Sequence, residues 1–121
     1  MALPQRLPHR GEIWWANFPA DPPDKGKRPV IIVSPDGRNQ HPRATSVLVV
    51  PLSTSIHHLG PAHMLLRAGE TGLAADSAAQ ADSISAIRRD TLTEPRPTQR
   101  TLTNTKICQL ATLVRTAMGC V

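Results

Sequence analysis

The feature that most constrains this chain is Arg28-Pro29 followed by the β-branched run Val30-Ile31-Ile32-Val33. Such a run is short and apolar on both faces, as a buried strand is. Proline cannot donate a ladder hydrogen bond and belongs at a strand's first position. The residue before it is biased towards extended backbone. An arginine is thereby fixed at the mouth of a buried strand, predicted over Pro29 to Ser34. Upstream, Glu12 to Phe18 (EIWWANF) is aromatic and β-branched enough for a second strand. The PADPPDKGK stretch between them is too rich in proline, glycine and charge for regular structure. The plain reading is a solvated basic loop leading into a strand.

Both strands need partners, and the rest of the chain supplies them. The 121 residues are expected to form one domain spanning 1–121, with residues 1–10 polar, proline-bearing and frayed. Pro35 to Arg43 is a turn-rich basic loop. Ser46 to Leu52 is the third strand, and His63 to Arg67 a short fourth. A turn follows at Gly69 to Gly72. The alanine-rich stretch from Asp76 lacks a helical stripe and reads as strands Ser77 to Ile84 and Ser85 to Leu92. Glu94 to Gln99 is a proline-bearing linker. Ile107, Leu110, Val114 and Met118, widened by Leu113 and Ala117, mark a C-terminal helix over residues 103–118. Thr103 is its expected N-cap and Gly119 its stop. Many short strands before one helix indicate a mainly β fold, a small barrel with a C-terminal helix packed on it.

Composition narrows the function. Apolar residues make up 40% of the chain, which separates it from disordered sequences. Its only aromatics are Trp14, Trp15 and Phe18, so one element carries the aromatic part of the core. A formal net charge of +5 favours an acidic partner, nucleic acid first. Cys108 and Cys120 lie about 18 Å apart along a helix, too far for a disulfide. No signal peptide or long apolar run is visible, so the chain reads as cytoplasmic with no membrane contact. The histidine and cysteine spacings match no metal motif, and no cofactor or metal is expected.

One constellation carries chemistry. Pairing the second and third strands antiparallel, with Ser34 opposite Val47, aligns their apolar runs and puts Arg28 opposite Ser53. A one-residue slip would separate the two onto opposite faces. Cleaving RNA without a metal requires removing the 2′-hydroxyl proton, stabilising the phosphorane and protonating the leaving 5′-oxygen. Arg28 meets the second need with a planar, permanently charged fork. A hydroxyl from Ser53 or Thr54 holds a phosphoryl oxygen or orients the attacking group. His57 and His58 titrate in the useful range, and Glu12 and Asp24 are candidate carboxylates. Trp14 and Trp15 offer stacking surfaces for bases, although adjacent strand residues face opposite sides and at least one belongs in the core. The residues expected to contact RNA are Glu12, Trp14, Lys25, Lys27, Ser55, His57, Asp82, Ser83 and Ser85. Each also has an ordinary reading as a solvated loop residue or a polar strand face.

The ordered set GEIWWANF, KRPVIIVS, VVPLSTS and TGLAADSAAQADSISAI resembles the MazF/PemK family of toxin endoribonucleases over residues 10–92. The resemblance implies an SH3-like barrel with a C-terminal helix, acting as a homodimer. It implies metal-independent cleavage of single-stranded RNA at short sequences, leaving 2′,3′-cyclic phosphate and 5′-hydroxyl ends. It further implies a small antitoxin partner of the MazE type. The family's catalytic arginine falls on Arg28 and its catalytic threonine on Ser53, with Thr54 next along. The chain departs from the family in three places. Serine replaces threonine at position 53. A proline-bearing loop replaces the usual Gly-Ser-Glu-Gln-like segment. Asp82-Ser83-Ile84-Ser85 replaces Glu-Gln-Ile-Arg. The competing readings are a non-catalytic barrel of the same fold: a gyrase poison like CcdB, or a protein that binds RNA without cutting it.

Overall fold

A computed structural model describes residues 6–120. Six strands form its framework: β1 (Ile13–Ala16), β2 (Arg28–Ile32), β3 (Ser46–Ser53), β4 (His63–Leu66), β5 (Ser77–Gln80) and β6 (Ser85–Arg88). Three helices accompany them: α1 (Asp36–Asn39), α2 (Ala68–Thr71) and α3 (Asn104–Ala117). All pairings are antiparallel, in the order β1-β2-β3-β5-β4 with β6 also on β3. Among the described residues no pairing joins β4 back to β1, so the barrel is left open.

β3 organises the sheet. Along one edge Val49 to Pro51 pair with β2. On its other pairings Ser46 to Val49 take β6, and Leu52 and Ser53 take β5. The register of β2 on β3, Val30 opposite Pro51 and Ile31 opposite Val50, is the one expected from the apolar runs. Where one continuous strand was expected from Ser77 to Ile84, β5 stops at Gln80 and Ala81–Ser83 form a 3-10 turn. That turn buries Ala81, which packs under α3 with the core. Similarly, Pro35 to Arg43 is not all loop, because α1 forms a single turn in which Asn39 is buried and donates to Ser34 O at 2.8 Å.

Alternation on these strands builds two apolar layers. Ile13, Ile31, Val50 and Leu52 face Leu66, Leu102 and the Ile107–Leu110 stripe of α3. Trp14, Ala16, Phe18, Val30, Ile32, Val47 and Val49 form the second layer with Ile87 and Leu92. Both faces of β1 are therefore covered, which explains its imperfect alternation. Thr103 caps α3, its hydroxyl accepting from Lys106 N at 3.2 Å, as expected. The last turn does not follow the expected stripe, and Met118 is 72% exposed.

Within the N-terminal stretch expected to fray, residues 6–10 carry contacts to the domain: Arg6 pairs with Glu12, and Arg10 donates to Val33 O at 2.6 Å and to Asn104 at 3.0 Å. Residues 1–5 lie outside the described residues. The Gly69–Gly72 turn is the helical turn α2 closed by Gly72 at φ 75°. A Cβ on Gly72 would lie 1.9 Å from Thr98 O, so glycine is required there by both backbone and space.

Candidate active site

β2 opens at Arg28, on the face shared by Ala16 and Phe18. The guanidinium lies 5.4 Å above the Phe18 ring. Its Nε donates to Leu52 O at 3.2 Å and its Nη2 to Gln80 Oε1 at 2.8 Å. Its Nη1 reaches Asp21 Oδ1 and Oδ2 at 3.1 and 3.3 Å. Strands β3 and β5 thus hold the arginine through two neutral acceptors, and the β1–β2 loop supplies its one anionic partner.

The alternation of β3 puts Ser53 on that same face, because the register that aligns Val30 with Pro51 carries Arg28 towards Ser53. Ser53 Oγ accepts from Ser55 N at 3.1 Å, which ends the strand in a tight hydroxyl-backbone turn. Among the described residues the Ser53 hydroxyl proton has no acceptor, so it is available to a ligand. Ala78 lies opposite Ser53, two residues before Gln80 and on the same face. Gln80 in turn lies opposite His63. The Nδ1 of His63 accepts from Gly60 N at 3.0 Å, which places its ring proton on Nε2, facing Asp82 Oδ1 at 3.2 Å. Arg28, Ser53, Gln80 and His63 therefore share one face across four strands.

Thr54 belongs elsewhere. It lines a cavity of about 520 Å³ with Trp15, Pro29, Leu73 and Arg96, on the opposite side of the strands. Arg96 stacks at 4.0 Å on Trp15, whose Nε1 donates to Gln99 at 2.7 Å. Of the two hydroxyls left open by the sequence, only Ser53 is on Arg28's face.

Two residues expected at the RNA surface are structural. Trp14 is fully buried, with Nε1 donating to Glu12 Oε1 at 3.1 Å. Glu12 is itself buried, accepts from His9 N at 2.7 Å and pairs with Arg6. Strand alternation turns Trp14 into the second apolar layer, leaving no ring face for a base, and the Glu12 carboxylate is taken up by His9 N, Trp14 and Arg6 instead of Arg28. The basic loop divides: Lys25 Nζ lies 3.8 Å from Asp21, whereas Lys27 donates to Thr91 O at 3.3 Å and pairs with Thr93. Ser55 and His57 are exposed in the loop after β3, as is His58. Asp82 is exposed beside His63; Ser83 and Ser85 are half-buried and joined by Ser85 Oγ to Ser83 O at 3.0 Å. Asp24, a candidate carboxylate, is exposed and does not reach Arg28.

Sequence reasoning missed Asp21, Gln80 and His63. Gln80 and His63 were within reach once β5 was paired to β3 and β4, since alternation then fixes their face. Asp21 lies in an irregular loop, where no periodicity reports which way a side chain turns. The displaced titrations lie away from this face. The Arg10 amide, opposed by slight burial and aided by Asn39 and His9, holds Asp36 below the usual carboxylate range. The Arg67 amide and Lys106 do the same for Glu70.

The chain matches the family model of PemK-like, MazF-like toxins of type II toxin-antitoxin systems over residues 9–118. It is 35% identical over 91 residues to endoribonuclease MazF9 of Mycobacterium tuberculosis (strain ATCC 25618 / H37Rv), covering 71% of this chain and 77% of that protein. Two solved structures share its fold. MazF (Form-I) of Deinococcus radiodurans superposes with TM-score 0.72 at 16% identity, over 95% of this chain and 99% of that one. An endoribonuclease in complex with its cognate antitoxin, from a mycobacterial species, gives 0.69 at 24% identity, over 93% and 95%.

Proposed function

Because the chain belongs to the PemK-like, MazF-like toxin family of type II toxin-antitoxin systems, we propose that it is a metal-independent, sequence-specific endoribonuclease that cuts single-stranded RNA and halts growth. The observation that carries this reading is the placement of Arg28 and Ser53 on one face, with the guanidinium anchored by the neutral acceptors Leu52 O and Gln80 Oε1. Neutral anchors fix the geometry of the fork without cancelling its charge. That is what stabilising a developing phosphorane requires.

In the proposed reaction the 2′-hydroxyl loses its proton and its oxygen bonds to the adjacent phosphorus. The bond from phosphorus to the 5′-oxygen breaks, and that oxygen takes up a proton. The products are a 2′,3′-cyclic phosphate and a 5′-hydroxyl. Arg28 donates to the phosphoryl oxygens as charge accumulates on them. The Ser53 hydroxyl, free to donate, holds a non-bridging oxygen or the attacking group. On this reading the exposed Asp82 and the half-buried Ser83 and Ser85 contact base edges. Lys25, Lys27, Ser55 and His57, on the flanking loops, meet the RNA backbone on the same reading. The active form is a homodimer, and the partner is a small antitoxin of the MazE type. A cytoplasmic setting fits both the RNA substrate and the unpaired Cys108 and Cys120.

The test is product chemistry. Incubated in EDTA with a long single-stranded RNA, the purified protein should give discrete fragments with cyclic phosphate at their 3′ ends and hydroxyls at their 5′ ends. Intact RNA, or 5′-phosphate ends, would reject the reading.

A further inference from the structure

Arg28 is nearly covered: its side chain is 15% exposed and that of Asp21 is 11%. A guanidinium has five N–H donors, and phosphate is gripped best by two of them in parallel. Here Nε and Nη2 are committed to acceptors on the sheet, and Nη1 faces both oxygens of one carboxylate. The partners differ in kind. Leu52 O is backbone within β3, and Gln80 is the last residue of β5, so both are fixed and neutral. Asp21 is anionic and rides on the loop between β1 and β2. This loop is bounded by prolines at 19, 22 and 23 and by Gly26 at φ 82°. Phe18 anchors its start in the second apolar layer, and beyond that the polar side-chain contacts that tack it to the sheet are Asp21 on Arg28, and Lys27 on Thr91 and Thr93.

We propose that the Asp21 carboxylate occupies the subsite of the scissile phosphate, so that RNA binds by exchanging Asp21 for phosphate at Nη1 while Gln80 and Leu52 keep the guanidinium in place. The inference rests on the nuclease reading and gives the same site an internal competitor. Two oxygens of a carboxylate, 3.1 and 3.3 Å from one guanidinium nitrogen, stand where two phosphoryl oxygens would. A phosphate cannot take this nitrogen while Asp21 holds it. The exchange restores to Arg28 a charge that Asp21 otherwise cancels. It also frees Lys25, whose ammonium lies 3.8 Å from the same carboxylate. Gln80 is on this account a positioning residue, holding the fork through both states.

The measurement is the Kd of a fluorescent 2′-O-methyl RNA 20-mer of mixed sequence, read by anisotropy for wild type, Asp21→Asn and Asp24→Asn. Asp24 is the control, since its removal changes the net charge equally, yet it is exposed and has no side-chain partner among the described residues. The probe has no free 2′-hydroxyl and cannot be cut, so binding is read whether or not the protein is a nuclease. Asp21→Asn should bind about fivefold tighter than Asp24→Asn, the size of gain that releasing one partly buried ion pair supplies. In an Arg28→Ala background the gain should disappear. Equal affinities for the two aspartate variants would overturn the proposal. So would a fall in cleavage rate of a hundredfold or more at unchanged Kd, because Asp21 would then be taking a proton. Tighter binding by Asp21→Asn, in a protein whose wild type leaves RNA intact, would uphold the competitor and remove the nuclease.

Discussion

Among single residues, strand alternation decides which hydroxyl faces Arg28. Ser53 is on the Arg28 face and Thr54 lines the cavity behind it. Ser53→Ala should lower the single-turnover cleavage rate about tenfold to a hundredfold, less than loss of the arginine. Thr54→Ala should leave it within about threefold. Equal rates for Ser53→Ala and wild type, with loss in Thr54→Ala, would move the role to Thr54. Trp14 makes the contrasting case. Fully buried and bonded to Glu12, it holds the second layer, so Trp14→Ala should cost about 3–5 kcal/mol in urea unfolding. A variant of wild-type stability with weakened RNA affinity would restore Trp14 to the binding surface. The sequence named Trp14 as a stacking surface because it shows two adjacent tryptophans on opposite sides of a strand without saying which side meets water. Packing settled that: Trp14 went into a layer with Val30, Ile32 and Val47.

At the scale of elements, the strand framework was legible because its signals are local. Val30 to Val33 and Val47 to Val50 are apolar runs whose alignment fixes the β2–β3 register, and from it the Arg28–Ser53 relation. The Ser77 to Ile84 stretch was not, because alanine and serine carry no clear periodicity. The 3-10 turn at Ala81–Ser83 depends on α3 packing over it. α2 also depends on a residue beyond it: Asp76 accepts from Ala68 N at 2.8 Å and from Arg67 at 3.0 Å, while within the turn Glu70 accepts from Arg67 N at 2.8 Å. The Ala68 amide holds Asp76, and the Arg67 amide holds Glu70, below the usual carboxylate range. A carboxylate depressed in the folded state contributes stability that is present above its unfolded pKa and lost as pH falls through the folded one. Thermal midpoints of wild type and a Glu70→Gln, Asp76→Asn double variant should therefore differ at neutral pH and converge below about pH 4. A gap that persists unchanged at pH 2.5 would mean that the two side chains act by packing instead of charge.

At the scale of the molecule, the site exists because β3 is shared. Its early part pairs with β6 and β2, its end pairs with β5, and the residues that contact the arginine come from the β1–β2 loop, β3 and β5 together. The fold was readable as a mainly β domain with a terminal helix because apolar runs and a helical stripe report themselves. The loop carboxylate at the centre of the site was not, since an irregular segment gives no pattern from which to place Asp21. Arg28, fixed by neutral acceptors, is proposed to supply the charge that stabilises the transition state. The decisive experiment is the single-turnover cleavage rate of Arg28→Ala in EDTA, with its thermal midpoint measured alongside. The expected loss is about a hundredfold to a thousandfold or more, with the midpoint held within a few degrees. A variant that cuts at the wild-type rate while remaining folded would contradict it.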